Sequence, residues 1–551
     1  MSRIGWLEKW TLRFAVAGLL FLALAILEGA LMRTQLVNPA SLQSMESVLA
    51  RIRLVSGEVS PAASFYAMLT AHPIVGIYGF AYMLVMGAFY FLVPFLLKKD
   101  VRYRLLVPIN FWLQIVGVLI AWAAGFFVLF NALYTLYWPL PVSYDRVPML
   151  GSVVFGAGLV LIEVNVLMFV FNLFATVLTR TNPHPEPFWR SLLRTVGVPR
   201  SWRSLGLNRR ADADPPSDPP ADRSELPVFI VAVGRGSIDT LINAIVILSA
   251  GILLLVYGLP ALRGIQLNPG AIDPLLYKNW FWWGLDMIAD GNVLMYTAGT
   301  WYLLVPLLVG RRLYGESVVR TVILADLLVS LFVWSHHLLG DRPQPFGLRL
   351  LSGQFVTWGE FVTLGLTMFS VMMTIWLARP VKLTAPLKFV LGSLFGFMAG
   401  GMAGLTQANV GLNLVLHNTQ WVAGIHAHTM ILGGLSMLLF AVVYTLIPLL
   451  TTLEIRSQRL VNYHFWGWIV GTMLMTYAMG MAGTRGMLRR TLYEGGLFQP
   501  YMIVALIGGL LVAVAFVVFL VNILWTLGWR NTVTVLLPER WLKPQPVQAE
   551  A

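Results

Sequence analysis

The sequence predicts an all-α polytopic membrane protein of about twelve transmembrane helices. Three observations lead there. The 551 residues are 58% hydrophobic and 11% charged, with a mean hydropathy of +0.75, a balance typical of membrane chains. The apolar residues gather in stretches of ~20 or more, enough to cross a hydrocarbon layer of ~30 Å as helix. Basic residues concentrate in alternate gaps between those stretches, the asymmetry that orients membrane helices. That asymmetry, rather than nucleic-acid binding, accounts for the net charge of +13.

The expected spans lie near residues 12–32, 62–97, 105–134, 149–179, 227–260, 279–309, 317–339, 353–378, 386–410, 419–450, 463–484 and 500–528. The longest must tilt or project beyond the bilayer. The first stretch, Leu12 to Ala30, is long and lacks a small-residue cleavage site, so no cleavable signal peptide is expected. Arg3, Lys9 and Arg13 stand at its start. Lys98, Lys99, Arg102 and Arg104 follow the second span, and arginines from Arg180 to Arg210 follow the fourth. Arg311, Arg312 and Arg320 surround the sixth-to-seventh turn. Arg379, Lys382 and Lys388 follow the eighth span, Arg456 and Arg459 the tenth, and Arg530, Arg540 and Lys543 the twelfth. With twelve spans all of these share one side. That side is the cytoplasmic face of a bacterial or archaeal inner membrane, and both termini lie there.

Residues 183–226 are the one long soluble stretch on that side. Its tail, ADADPPSDPPADRSE, reads as a flexible cytoplasmic linker within a single transmembrane domain. The first outer loop carries Arg33, Arg51 and Arg53 among Glu46 and Glu58. Thr484 to Thr491 instead packs Arg485, Arg489 and Arg490 with no acid. A basic cluster on the outer side asks for an anionic partner. The chain has no cysteine, which excludes disulfides, thiolate metal sites, iron–sulfur clusters and a CxxCH haem attachment. No internal repeat is evident in the sequence.

His417 to Thr429, HNTQWVAGIHAHT, organises the rest. Successive residues of an α-helix turn by about 100°, so His426 and His428, two apart, point to opposite sides. They cannot share a metal, but each can hold a different one. Of the eight histidines, His184 and His464 fall in or beside cytoplasmic loops. The other six, His72, His336, His337, His417, His426 and His428, sit toward the outer ends of the second, seventh and tenth spans. Unrelated core histidines have no reason to agree in depth, and imidazole is a common haem and metal ligand. The outer half of the sixth span reads NWFWWGLDMIADGNVLMY. Asp286 and Asp290 are four apart and share a face there. A carboxylate in a membrane helix is costly unless paired or metal-bound.

WSHHLLGD (334–341) and HNTQWVAGIHAHT resemble the metal-binding helices of subunit I of the haem–copper oxygen reductase superfamily, with the B family (ba-type oxidases) the nearest likeness. AHPIVGIYGF (71–80), NALYTLYWPL (131–140) and GMLRRTLY (486–493) also resemble B-family stretches. The likeness runs in order from about residue 65 to 495 and implies a subunit I-like helix bundle. It implies that His72 and His428 are the axial ligands of a six-coordinate low-spin haem. His426 would hold a high-spin haem, with His336 and His337 on a second metal facing it. Arg489 and Arg490 would pair with haem propionates, and His417 would lie near them.

The pattern departs at the sixth span. The oxygen reductases place a third metal-ligand histidine there, and in the A and B families a cross-linked tyrosine one turn later. Here Asp286 and Asp290 occupy those positions, and no tyrosine lies between Tyr314 and His336. Splitting dioxygen in one step needs four electrons, one of which the tyrosine supplies. Reducing two nitric oxide molecules to nitrous oxide needs only two. His336, His337 and Asp286 would form a site whose hard oxygen ligand favours iron over copper. Nitric oxide reductases of the superfamily use non-haem iron, with a sixth-helix Glu one turn after the His. The expectation is therefore a nitric oxide reductase catalytic subunit with two haems and one non-haem metal. Asp286 and Asp290 are its candidate catalytic residues, Asp290 as further ligand or proton donor. Glu163, Asp326 and Glu360 are further intramembrane acids that either conduct protons or pair with neighbours. The rivals are a divergent oxygen reductase, an enzyme acting on nitric oxide without net reduction, a haem-based sensor or electron-transfer protein, and a transporter. Electrons would come from a quinol, or from a cytochrome c or cupredoxin-type donor through a second subunit. The other partners are the gas substrate and membrane lipid, with no nucleic acid.

Overall fold

In lipid an unpaired backbone N–H or C=O is costly, and a helix pairs both within itself. The computed structural model describes residues 5–55, 60, 62–179, 187–199, 226–334, 337, 339, 343–493 and 496–536. Helices form at all twelve expected positions: α1 Trp6–Val37, α2 Ala63–Leu97, α3 Leu106–Val128, α4 Met149–Leu178, α5 Val228–Ala261, α6 Pro274–Val309, α7 Glu316–Ser330, α8 Phe346–Leu377, α9 Ala385–Thr406, α10 Val422–Thr451, α11 Gln458–Thr484 and α12 Gln499–Leu527. Ten of these are long and apolar enough to cross a membrane. The other two are α7 and α11. The 15 residues of α7 span only about 22 Å at 1.5 Å per residue. α11 is long enough but more polar. The expected seventh span, 317–339, therefore stops as regular helix at Ser330.

Two further boundaries differ from expectation. The stretch 105–134 is helical only to Val128, where Leu129 turns left-handed (φ 61°) and ends α3. Residues beyond it reach the loop after α5, with Trp138 donating to the Pro269 carbonyl at 2.8 Å. Arg33, expected in the first outer loop, lies inside α1. Within the stretch expected as linker, Phe188–Thr195 is a short helix packed against α5 and α4.

α2 and α10 are the most enclosed spans, and both contain wide π-helical turns, Ile74–Ala81 and Val422–Ser436. A third, Ala289–Met295, interrupts α6. In α2 the cause is local: Pro73 has no N–H to give, and the turn widens immediately after it. π turns inside α-helices often mark functional sites, and each of these adjoins a candidate site residue.

Small residues let α9 lie close against α10. Gly392, Gly396, Gly400 and Gly404 recur every fourth position and form one stripe. A Cβ at Gly396 would overlap the Gly433 backbone, and one at Gly400 would stand 3.0 Å from Met430 N. On α2–α4 the glue is polar. Asn110 donates to Asn165 (2.6 Å), Asn165 to Gln114 (2.7 Å), and Gln114 to the Tyr78 carbonyl (2.8 Å).

Candidate functional site

The π turn of α10 carries both His426 and His428. Their side chains diverge as the two-residue spacing requires. His428 faces α2, where its ring lies 6.4 Å from that of His72, the planes 21° apart. Two imidazoles on opposite sides of one iron would have ring centres about 6 Å apart, allowing ~2.0 Å per metal–nitrogen bond and ~1 Å from nitrogen to ring centre. The observed pair fits that separation. His428 Nδ1 donates to the Ala423 carbonyl at 2.5 Å, five residues back in the π register. His426 turns the other way, and its Nδ1 donates to Gly400 O of α9 at 2.9 Å. With Nδ1 engaged, Nε2 is the open nitrogen of each ring, the usual arrangement for a metal-binding histidine.

These rings border one cavity of about 530 Å³, also lined by His337, Asp286, Asp290, Glu360, Arg489 and Arg490. The volume lies within the range of cofactor-sized sites. α6 contributes the acidic wall: Asp286 is 2% and Asp290 4% exposed to solvent. Asp286 Oδ1 meets His337 Nδ1 directly. The Trp282 ring stacks obliquely 5.7 Å from His337, and His417 closes the other side at 6.1 Å. His336 lies outside the described residues. Among those described, no three His, Asp or Glu side chains close around one point as a metal would require.

The basic cluster after α11 is tied to the start of α10 through the backbone. Gln420 N bonds Met487 O at 2.8 Å and Arg489 N bonds Asn418 O at 2.9 Å, a short antiparallel bridge. Arg490 adopts a left-handed conformation (φ 61°), which costs a non-glycine residue energy and recurs where function demands it. Its Nη1 donates to Tyr137 OH at 3.1 Å, and its guanidinium lies over the Tyr134 and Tyr137 rings. Burial works against the Arg490 charge, but those two tyrosines outweigh it and the pKa is raised. Nε and Nη2 of Arg490 are buried with no partner among the described residues. They are donors fit for an anionic group such as a propionate.

The sequence reading missed Arg235, Asp239 and Glu28, and it did not find the surroundings of Arg33, Asp326 and Glu163. Arg235 of α5 is wholly buried and pairs with Asp239 and, at 2.8 Å, with Asp326 of α7. Asp326 also accepts Thr363 Oγ1 at 2.7 Å. Of the two roles left open for Asp326, the structure supports ion pairing. Arg33 lines the cavity with its guanidinium 3.2 Å from Met479 Sδ. Glu28 of α1 approaches His72. Glu163 is fully buried beside Tyr78, apart from the cavity wall. His464, expected at a loop, is buried in α11 among Phe389, Phe440, Phe519 and Trp468.

The family described as Cytochrome C and Quinol oxidase polypeptide I matches residues 9–198 and 219–511. The chain is 26% identical over 303 residues to cytochrome c oxidase subunit 1 of Thermostichus vulcanus, covering 55% of this chain and 54% of that protein. It is 29% identical over 275 residues to cytochrome c oxidase polypeptide 1 of Halobacterium salinarum, covering 49% and 44%. It is 23% identical over 480 residues to ubiquinol oxidase subunit 1 of Acetobacter aceti, covering 86% and 65%. The chain thus spans about half the length of the first two relatives. A cryo-EM structure of a heme-copper terminal oxidase dimer superposes with a TM-score of 0.63 at 20% identity, covering 94% of this chain and 84% of that one. That likeness is one of fold.

Proposed function

The chain belongs to the cytochrome c and quinol oxidase polypeptide I family, and from that premise we propose that it is the catalytic subunit of a membrane-bound nitric oxide reductase. Two nitric oxide molecules, two electrons and two protons give one nitrous oxide and one water. The observation that carries the reading is the Asp286 carboxylate against His337, with Asp290 on the same cavity wall. The A- and B-family oxygen reductases that the sequence resembles have a histidine and a tyrosine at those positions.

His72 and His428 would hold the low-spin haem and His426 the high-spin haem. His336, His337 and Asp286 would hold the non-haem metal, iron before copper. The paired metals, when bound, would supply the two electrons at a site for N–N bond formation. Arg489, Arg490 and His417 would steady the propionate side. Asp290, dry and next to the metal pocket, would hold a proton for the departing oxygen. Phe281, Trp282 and Leu285 line the same wall, and these apolar faces would keep water from it. The donor would be a quinol, or a cytochrome c or cupredoxin-type protein acting through a second subunit. The setting would be the cytoplasmic membrane, with both termini inside.

The names of the relatives favour a second reading, reduction of dioxygen to water. Turnover of nitric oxide and of dioxygen by one preparation, with metal analysis alongside, decides between them. Nitric oxide consumption with non-haem iron and no copper is expected. Dioxygen turnover with copper and no nitric oxide turnover would overturn the proposal, and inertness to both gases would point to a sensor.

A further inference from the structure

Glu28 is a buried membrane carboxylate that the proposed chemistry does not use. It lies on α1, 3% exposed. Such a group is expensive in a membrane and is retained where it has a task. Oε1 accepts the Trp122 indole N–H at 2.7 Å, which fixes the carboxylate in place. Oε2, buried and without a hydrogen-bond partner, lies 3.8 Å from His72 Nδ1. The neighbouring Gly29 adjoins the same ring, where a Cβ would make an ordinary contact 3.5 Å from His72 Cε1.

The two facing rings therefore differ. His428 gives its Nδ1–H to a neutral backbone carbonyl. His72 faces a carboxylate, with the Ala25 carbonyl as the other acceptor beside it. A separation of 3.8 Å is longer than a hydrogen bond, but a charge acts at that range, and more strongly in a low-dielectric interior.

We propose that Glu28 is a positioning residue for His72 that sets the reduction potential of the low-spin haem. The inference rests on the reading of His72 as an axial ligand. A ring bound through Nε2 carries its proton on Nδ1, and a carboxylate facing that proton orients the ring and raises its basicity. A more basic ligand and a nearby negative charge both favour ferric over ferrous iron, so Glu28 holds the potential down.

Redox titration of the purified protein, followed at the low-spin haem absorbance, tests this. Glu28→Gln keeps the shape and an acceptor for Trp122 but removes the charge. The low-spin spectrum should remain while the reduction equilibrium shifts at least tenfold toward ferrous iron, about 59 mV for a one-electron couple. Glu28→Asp, which restores the charge, should recover part of that shift. An unchanged potential with an intact low-spin spectrum overturns the inference. Absence of a bis-histidine low-spin haem from the unsubstituted protein overturns the axial reading instead. If Glu28→Gln does not fold, Trp122→Phe removes the indole donor that holds Oε1 and favours its charged form. The potential should move in the same direction as for Glu28→Gln, and an unchanged value there also counts against the proposal.

Discussion

Replacing Asp286 by alanine isolates the carboxylate on which the choice of metal turns. The side chain is 2% exposed and its Oδ1 meets His337 Nδ1. Asp286→Ala removes a charge-assisted hydrogen bond worth roughly 1.5–3 kcal/mol and leaves His337 without the group that orients it. If Asp286 acted only through His337, metal affinity would fall about 10–100-fold, which is roughly 1.4–2.7 kcal/mol at 1.36 kcal/mol per tenfold. As a ligand it contributes its own bond as well, and the loss must exceed that range. Plasma mass spectrometry for iron and copper, set against pyridine haemochrome for haem, measures the outcome. The expected variant keeps both haems, because His72, His426 and His428 take their supports from other elements, and loses the non-haem metal. Metal retained at the unsubstituted ratio would refute the ligand assignment. Binding that is merely weakened, and saturates when metal is added back, would reduce Asp286 to a support for His337.

His428→Ala should abolish the low-spin haem signal and leave the high-spin haem able to bind carbon monoxide, read from difference spectra. Asp290→Asn should lower nitric oxide turnover by about 10²-fold or more while metal and haem contents stay unchanged, as expected for a lost proton donor. Gly404→Ala places a Cβ 2.7 Å from His426 Cε1. The ring must give way, straining the 2.9 Å bond to Gly400, and carbon monoxide binding at the high-spin haem should change while the low-spin spectrum does not. Arg235→Leu leaves the Asp239 and Asp326 carboxylates buried without their cation and should cost about 3–5 kcal/mol, seen as a lower melting temperature in detergent.

The histidine arrangement was legible because a two-residue spacing splits two ligands across any helix, and the outer ends of the spans set a common depth. The positions of the spans were legible from apolar length and loop charge. Their interruptions were not. Helices that are apolar all round give almost no periodic signal, so the widening at Ile74–Ala81 and the early end of α3 left little trace in the pattern. Arg33 reads as a loop residue when a span is expected to end at its first arginine. The helix in fact runs to Val37, and Arg33 turns toward methionine sulfur. The partner of Asp326 was invisible because Arg235 lies on another helix, 91 residues away. Asp286 was found through its departure from a familiar motif, and its contact with His337 across the α6–α7 boundary is a tertiary fact that no spacing within one helix reveals.

The wide turn in α10 makes the angular setting of its two imidazoles sensitive to chain length. Thr429 and Ser436 return their hydroxyls to carbonyls five positions back, as the His428 ring does, so all three depend on a backbone that holds one residue more than an ordinary coil would. Deleting a single amino acid between Val422 and Ser436 would let the segment tighten, and residues on one side of the cut would swing about 100° round the axis relative to the other. A conservative substitution can spare both rings, but a one-residue deletion would misalign one of them against a helix that had otherwise kept its sequence.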